Sequence, residues 1–595
     1  MADASTKNSG NKSGRLPEKD HFLKRLAALK GERASFVSHW QELSTNILPR
    51  RGRFLSSDTN RGSKKNSKII NDTATIAVRT LASGMMSGIT SPARPWFRLG
   101  APDPKLMDVQ AVKDWLHVVE GRMREVFIRS NVYNALPVMY EELGVFGTAA
   151  MIVLADHEDV IRCYPLTAGE YFIANNYRNA VDTIYREVSM TVSQVIGQFG
   201  RENVSDWVKT AFDNGNVDQW VEIIHAVEPN DNRNPKMVDA RNKRFLSVYF
   251  EKGGATDQFL RVSGFDTFAA MVPRWHLTGS DVYGRSPGMD ALGDIKALQT
   301  EEKRKAQAID KMVTPPVNAP GSMKNAAVTL LPGGINYLDA SQGNQGVTPA
   351  YQVNPRIIEL ADDINRTEHR INRAFYADLF LMLSQSDRRQ ITAREIDERH
   401  EEKLLALGPM LERLHGELLD PLIDRTFDVM LNAGMLPPPP KELHGITLRV
   451  EYVSMLAQAQ QAVGIGAVER AMGFVAQAAQ MNPEVIDKFN FDQAVDEYGR
   501  MLGLPPSLIL SDDAVSEKRK EREKEQNDAQ ARQQQSQMMS QMAEGAQAMM
   551  QGDGSGAAPD LTQMLEGVDP EMLGGADPEM IKDMVARMGG QGGAA

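Results

Sequence analysis

The sequence predicts an α+β fold, mainly helical, and three observations carry that expectation. Apolar residues recur at helical spacing from about residue 17 to 146. Between about 148 and 274 that spacing gives way to short β-branched and aromatic segments divided by turn residues. From Ser286 to Leu436 helix returns as a pair of helices flanking a Pro/Gly-rich insert, followed by a long helix. A chain of 595 residues is too long for one core, so two or three domains plus tails are expected.

Taken in order, residues 1–15 are Ser, Asn, Gly and Lys and read as disordered. A helix follows from Pro17 to Ile47, with Leu23, Leu26, Leu29, Phe36 and Trp40 on its apolar side, and it stops ahead of Pro49. The linker Arg50 to Lys68 is basic and Ser/Gly-rich. Asn71-Asp72-Thr73 caps a helix through Ile89 that Ser91-Pro92-Ala93-Arg94-Pro95 breaks. Two more helices span Val109 to Ser130 and Tyr133 to Phe146. Strands are expected at Ile152–Leu154, Val160–Tyr164, Tyr171–Ile173, Val181–Val188, Trp220–Val227, Phe245–Phe250 and Phe259–Val262, with short helices at Thr191–Phe199 and Val204–Asn214 inserted among them.

The helix from Pro287 to Met312 ends at Thr314-Pro315-Pro316, which opens an insert running to Pro355. The insert has its own hairpin signal, Val328–Leu331 and Ile335–Leu338 around Pro332-Gly333-Gly334. A helix from Arg356 to Ala377, a loop from Leu379 to Gln390 and a capping box at Thr392-Ala393-Arg394-Glu395 come next. Leu404, Leu407, Leu411, Leu414, Leu418 and Leu422 then repeat every three or four residues, and Gly408-Pro409 and Pro421 predict a bend. After Pro437–Pro440 the pattern gives a strand at Ile446–Tyr452, an Ala/Gly-rich helical stretch at Met455–Gln480, a helix opening at Asn482-Pro483 and another at Phe491–Leu502. Ser516 to Arg532 is charged but balanced, with six basic and five acidic residues. Residues 533–595 are Gln/Met/Gly-rich and acidic, with two basic residues against nine acidic ones.

Composition excludes several functions. A net charge of −11 argues against a protein that simply coats DNA. Cys163 is the only cysteine, which rules out an intramolecular disulfide and a multi-cysteine metal site and fits a reducing cytoplasm. Met1 to Gly14 has no apolar segment of the export type. The longest apolar run, Leu143 to Ala155, is too short to span a bilayer, so no membrane association is expected.

The catalytic motifs in the sequence are few and incomplete. Gly284-Arg285-Ser286-Pro287-Gly288 matches the spacing of a nucleophile elbow, but the residue after the serine must donate its N–H to an oxyanion, and Pro287 has none. Ser286 reads instead as the N-cap of the helix that Pro287 opens. His400-Glu401-Glu402-Lys403-Leu404 lacks the second histidine of a zinc-protease helix. There is no P-loop, no ligand-like grouping among the ten histidines and no calcium-loop spacing, so neither catalytic residues, metal nor cofactor is expected.

The basic residues around the insert say more. Arg366, His369, Arg370 and Arg373 fall at i, i+3, i+4 and i+7 and share one helix face, opposite a stripe of Ile357, Leu360, Ala361, Ile364, Ile371 and Phe375. Lys296, Lys303 and Lys311 lie near one line on the preceding helix, with Arg304 and Lys305 beside it. Glu301, Glu302, Glu359, Asp362 and Asp363 are interspersed. Such a pattern is either a solvated face or a surface that meets phosphates weakly, and mixed charge suits a polymer that has to slide. The stretch Phe380 to Gln390 is apolar first and ends in Arg388 and Arg389.

From Arg15 to Gln530 the sequence resembles the head-to-tail connector, or portal, proteins of short-tailed, T7-like bacteriophages. The resemblance rests on the order and spacing of Ile47-Leu48-Pro49-Arg50, Gly88-Ile89-Thr90-Ser91-Pro92, Phe146-Gly147-Thr148, Pro273-Arg274-Trp275, Tyr283 to Gly288, Pro315-Pro316, Thr392 to Glu395 and Glu451-Tyr452-Val453-Ser454. It implies a ring, usually a dodecamer, at one capsid vertex, through which double-stranded DNA enters during packaging and leaves during ejection. By analogy the wing is 16–285 with its β module at 148–274, and the stem is the helix pair 286–313 and 356–378. The clip is 314–355, the tunnel loop 379–391, the kinked helix 392–436, the crown 437–510 and the tail 511–595. Within that architecture Lys303, Lys311, Arg366, Arg370, Arg373, Arg388 and Arg389 are the candidates for contact with DNA in the channel. The resemblance implies a tunnel loop carrying Leu381, Met382, Leu383, Ser384, Gln385 and Ser386, and a docking clip at Thr314, Pro315, Pro316, Gly333 and Gly334. The implied partners are terminase at the clip, tail adaptors after it, and capsid, scaffold or internal core proteins, in the virion and in the host cytoplasm during assembly. The competing expectation is a non-conducting helical scaffold or adaptor protein.

Overall fold

A computed structural model of the chain describes residues 16–54, 65–319 (except 238 and 255–257), 348–349, 356–385, 408–452 (except 444 and 446–447), 469–480, 488–502 and 512–550, with a few isolated positions between them. Residues up to Ser511 form one compact unit, and those from Asp512 a second, whose described part is one helix, Asp512–Met550.

The first unit opens with helices α1 (Lys19–Asn46) and α2 (Thr73–Gly88), strand β1 (Phe97–Gly100), and helices α3 (Gln110–Arg129) and α4 (Val132–Phe146). The apolar residues of each recur every three or four positions, so each buries one side: Trp40 and Leu43 on α1, Val78, Leu81 and Met85 on α2, and Leu136, Met139 and Leu143 on α4 join one core. The cap of α2 falls within the expected Asn71-Asp72-Thr73. Asp72 makes no side-chain bond there. Asn71 does the capping, its Oδ1 accepting from Thr73 N at 2.9 Å and Thr73 Oγ1 at 2.6 Å.

The β module contains all seven expected strands: β2 (Ala150–Asp156), β3 (Val160–Leu166), β4 (Tyr171–Asn175), β5 (Val181–Thr191), β6 (Trp220–Pro229), β7 (Phe245–Glu251) and β8 (Arg261–Phe265), and a short β9 (Ala270–Met271) follows. They make two antiparallel sheets, β3-β2-β9 and β4-β5-β6-β7-β8. One face of the larger sheet is covered by Phe22, Leu26 and Leu29 of α1. Two short helices, α5 (Val192–Phe199) and α6 (Asp206–Asp213), are inserted between β5 and β6 and cover Val221, Ile223 and Tyr249.

The chain then enters α7 (Pro287–Val313) across a contact made of bare backbone. A Cβ on Gly284 would stand 2.2 Å from Gly147 O, and one on Gly147, at φ +76°, 2.3 Å from Gly284 O. Gly284 N donates to Thr148 Oγ1 at 2.7 Å. Ser286 is buried; its Oγ accepts from Met289 N at 3.0 Å and donates to Val145 O at 2.6 Å. It is the cap that Pro287 implied, with both hydrogen-bonding roles used structurally.

Strands β10 (Val317–Asn318) and β11 (Thr348–Pro349) pair antiparallel at the base of the insert. Helix α8 (Ile357–Ala374) packs along α7 and is followed by α9 (Ala377–Gln385). Beyond the undescribed 386–407, α10 (Gly408–Leu414) leads through a π-helical turn at His415–Leu419 into α11 (Asp420–Asn432). The bend assigned to Pro421 is therefore a widened turn just ahead of it. Pro421 has no N–H to give, and its ring would crowd the carbonyl four residues back. Strand β12 (Arg449–Tyr452) returns to pair with β1, Phe97 opposite Tyr452. The capping box at Thr392, nearly all of the hairpin at 328–338, and Pro483 at the expected helix start lie outside the described residues.

One buried acid marks a strained spot. Glu142 on α4 is fully buried and accepts from Thr167 Oγ1 at 2.7 Å and Ala168 N at 3.1 Å. Burial pushes its carboxyl up to about 7, against the pull of Arg51 and of those two bonds. A folded-state value above the ordinary one means that the native chain holds this proton longer than the unfolded chain. The contribution to stability is thus fully present below the ordinary carboxylate range and is lost as pH rises through about 7.

Two outcomes are expected. Gly284→Ala lowers unfolding stability by about 1–3 kcal/mol by driving a methyl into the Gly147 carbonyl. Gly293→Ala, on a part of α7 with nothing within 4 Å, is neutral or stabilising. Denaturant melts of the two side by side decide it; equal effects would mean that the crossing relaxes freely. For Glu142→Gln, the stability of wild type relative to the variant falls by about 2 kcal/mol between pH 5 and pH 8. A pH-independent difference would show that the acid titrates normally.

Candidate channel and docking surfaces

The α7–α8 pair has a buried root and an open end. At the root, Met289, Leu292, Ile295 and Leu298 of α7 and Ile364 and Ile371 of α8 enter the core. The same turns are tied by a polar knot that the sequence did not signal. Gln299 Oε1 accepts from Ile70 N and Asn71 N at 2.6 and 2.9 Å, and its Nε2 donates to Asn71 O at 2.8 Å. Asn71 Nδ2 donates to Glu368 at 2.8 Å and to Glu302 at 3.3 Å. One asparagine thus binds α2, α7 and α8 together.

Toward the open end the character reverses. Lys303, Arg304 and Lys311 are exposed, and so are the apolar Ile309, Met312 and Val313 beside them. On α8, Arg366, His369, Arg370 and Arg373 are all exposed, as the spacing predicted. Arg366 pairs with Asp362 at 2.7 Å and Arg370 with Asp294 at 3.2 Å. Lys305 pairs with Glu302 at 2.7 Å, and Lys296 with Glu42 on α1. Among the described residues Lys303, Lys311 and Arg373 have no carboxylate within ion-pair reach. The surface is one of interleaved charges with a few cations left over, and exposed pairs of this kind are individually worth little and are screened by salt.

The tip residues divide. Thr314 ends α7, its N and Oγ1 both donating to Asp310 O at 2.8 and 2.9 Å. Pro315 is half-buried and Pro316 exposed. Gly333 and Gly334 lie outside the described residues.

The loop expected from Leu379 is helical as far as Gln385. The break comes earlier, at Tyr376, whose φ of +56° turns the chain between α8 and α9. The apolar first half of the stretch explains the helix, because it has something to cover. Leu379 and Phe380 are buried, and the Phe380 ring fills the space over Gly84 of α2, where a Cβ would stand 2.2 Å from it. Leu381 is exposed, and Met382, Leu383, Ser384 and Gln385 continue α9. Ser386, Arg388 and Arg389 lie outside the described residues.

Behind the pair sits Arg274, almost fully buried. Its Nε and Nη2 donate to the two oxygens of Glu417 at 3.2 and 2.6 Å, and its own N–H donates to Glu417 at 2.9 Å. Nη1 donates to Asn175 Oδ1 at 3.2 Å, and Nη2 to Asn179 O at 2.7 Å. The π-helical turn therefore carries the carboxylate that fixes the β module to the chain entering α7. From the sequence alone Arg274 is one residue of Pro273-Arg274-Trp275, with no role attached. Among the described residues no group of three or more His, Cys, Asp or Glu could hold a metal ion. No described helix is long and apolar enough to cross a membrane.

Residues 19–510 match the family described as bacteriophage head to tail connecting protein. The chain belongs to that family. It is similar to the portal protein of Salmonella phage epsilon15, with 50% identity over 554 residues, 93% of this chain and 97% of the relative. It is also similar to a probable portal protein of Bordetella phage BPP-1, 49% identical over 504 residues, covering 85% and 91% of the two chains. A chain in a solved structure titled as the neck of an empty GTA particle computed with C6 symmetry aligns over 71% of this chain and 93% of its own, at 12% identity and a TM-score of 0.34, too loose to carry structural argument. The function is that of a phage portal, a structural component of the virion and not an enzyme.

Removing one partner of a buried ion pair strands the other charge, at about 3–5 kcal/mol. Glu417→Ala is therefore expected to cost at least about 3 kcal/mol, read by denaturant melts. A loss below 1 kcal/mol, on the scale of an exposed pair, would show that Arg274 finds other acceptors.

Proposed function

We propose that twelve copies of the chain close into a ring whose α7–α8 pairs line the channel for double-stranded DNA, during packaging and again during ejection. The observation that supports this reading most directly is the charge pattern along that pair. Lys303 and Lys311 toward the tip, and Arg366, Arg370 and Arg373 alongside the root, are exposed among carboxylates, so a duplex meets many weak and salt-sensitive contacts and no site that holds it. At 27 residues α7 is about 40 Å long, enough to cross a ring wall. Ile309, Met312, Val313 and Ile358, open to solvent in a single chain, suit contact with a neighbouring copy.

In this reading residues 16–285 are the wing and the helices in 286–313 and 356–378 the stem. Residues 314–355 are the clip, on which Thr314, Pro315, Pro316, Gly333 and Gly334 meet terminase and later the tail adaptors. The segment 379–391, with Leu381 to Ser386, Arg388 and Arg389, approaches the DNA, although its first part is helix. The long helix of 392–436 leads to the crown, 437–510, which faces capsid, scaffold or internal core proteins. Assembly takes place in the host cytoplasm.

Negative-stain microscopy of the purified protein tests the reading: rings of twelve with a central hole are expected, and filaments, monomers or dimers would favour a non-conducting scaffold. On assembled rings, Arg388→Ala with Arg389→Ala is expected to reduce DNA packaged or retained without altering ring yield. Loss of rings would make those arginines structural instead.

A further inference from the structure

The wing carries a second concentration of unpaired positive charge. Between β6 and β7 the chain runs from Asn230 to Arg244, and five of its residues are cations: Arg233, Lys236, Arg241, Lys243 and Arg244, against Asp231 and Asp239. Lys243 is neutralised by Asp266 at 2.5 Å. Arg233, Lys236, Arg241 and Arg244 are exposed, and among the described residues none has a carboxylate within ion-pair distance. Four free cations in twelve residues stand out in a chain of net charge −11.

The backbone holds them in place. Asn230 N donates to Arg244 O at 2.9 Å, and Asn230 Nδ2 donates to Arg241 O and Lys243 O at 2.8 and 3.1 Å, which closes the loop at its neck. Asn234 N donates to Asn242 Oδ1 at 2.8 Å across the middle, and Lys236 N to Asn234 Oδ1 at 3.1 Å. The loop then lies on β8: a Cβ at Gly264 would stand 2.4 Å from Ala240 O, so only glycine admits it. Asp239 is occupied by Asn242 Nδ2 at 2.5 Å. Asn230, Asn234 and Asn242 are spent within the loop, and its four exposed cations have no carboxylate partner, although the Arg244 guanidinium lies over the Phe245 ring at 5.6 Å; the loop presents its charge to something outside.

We propose that this loop is a second contact for double-stranded DNA, binding the phosphate backbone without regard to sequence and independently of the channel. One face of the sheet that bears it packs on α1, and among the described residues no hydrogen bond or ion pair ties the loop to α7 or α8. Three of the four free cations are arginines, whose planar fork fits phosphate oxygens. The loop has no exposed aromatic group for stacking on bases, which leaves the backbone of a duplex as the matching ligand. Repetition around a ring would multiply a weak single contact. The identity of the polyanion as DNA rests on the portal reading; the loop's affinity for a polyanion does not.

Covalently closed circular plasmid is the discriminating probe, because a closed circle cannot be threaded by a preformed ring. Full-length protein is expected to retain plasmid at about 50 mM salt and to lose it by about 200 mM. Arg233→Gln, Lys236→Gln, Arg241→Gln and Arg244→Gln together should weaken retention at least tenfold and flatten the log–log salt slope by about 3 to 4 per loop. Ring yield, read by microscopy on the same samples, reports on the portal reading separately. Retention unchanged in the quadruple variant would overturn the proposal. So would a wild type that ignores plasmid but binds polyglutamate with the same salt dependence, since that result assigns the loop to an acidic protein.

Discussion

Everything in the larger unit hangs on the place where two glycines let one chain segment cross another. Gly147 ends α4 in a left-handed conformation, Gly284 precedes α7, and neither has room for a methyl group. The crossing brings the C-terminus of α4 to the N-terminus of α7, so that Ser286 can cap one helix while donating to a carbonyl of the other. Trp275 N donates to Gly147 O at 2.9 Å and Arg285 N to His276 O at 2.7 Å, which extends the contact on both sides. Arg274 lies against it and reaches Glu417 on the long helix. The direction in which α7 leaves the body is thus set by backbone contacts within a few ångströms, whereas the helix itself runs on for about 40 Å.

Polar groups in this body are arranged in two regimes. Where they are buried they are mostly hydrogen-bonded, with Arg33 Nε and Arg425 Nε among the exceptions. Arg274 uses its whole fork, and in the larger sheet Arg186 Nε donates to Nδ1 of buried His225, whose Nε2 meets Ser247 Oγ at 3.0 Å. His225 stacks on Tyr249 at 3.9 Å, and burial with the Arg186 charge holds it well below its ordinary value, hence neutral. Such networks cost little once complete and a great deal when one member is lost. Where charges are exposed, on α7 and α8, they are paired loosely or not at all. The first regime fixes geometry; the second leaves open a surface of interleaved, loosely paired charges.

The strand pattern of the β module was legible because alternation and β-branching are local signals, and the cap at Ser286 because Ser-Pro at a helix start is a local rule. The shared exposed face of Arg366, His369, Arg370 and Arg373 was legible for the same reason, since helical spacing alone puts them together. What could not be read is whatever depends on a distant partner. Phe380 looked like the start of a loop because Gly84, which receives its ring, is nearly three hundred residues away in the sequence. Tyr376 gave no hint of a positive φ, which an aromatic side chain disfavours. Asn71 was read as part of a local cap, and it is that, but its amide also bridges two helices far along the chain. Pro421 correctly marked an irregularity and misplaced it by one turn, because the strain of a proline falls on the carbonyls before it.

The contrast between root and tip of the α7–α8 pair bears on how the single chain relates to an assembly. A hairpin stable by itself would bury its apolar residues along its whole length. This one buries them only as far as Leu298 and Ile364, and beyond that relies on the pairing of one helix with the other. Val313 and Ile358 are 75% and 86% exposed, in positions where a polar residue would cost nothing locally. The chain therefore tolerates at the tip a hydration penalty that intramolecular packing does not relieve. Contact between neighbouring copies would relieve it, and would do so without touching the charged residues that stay open on the same helices.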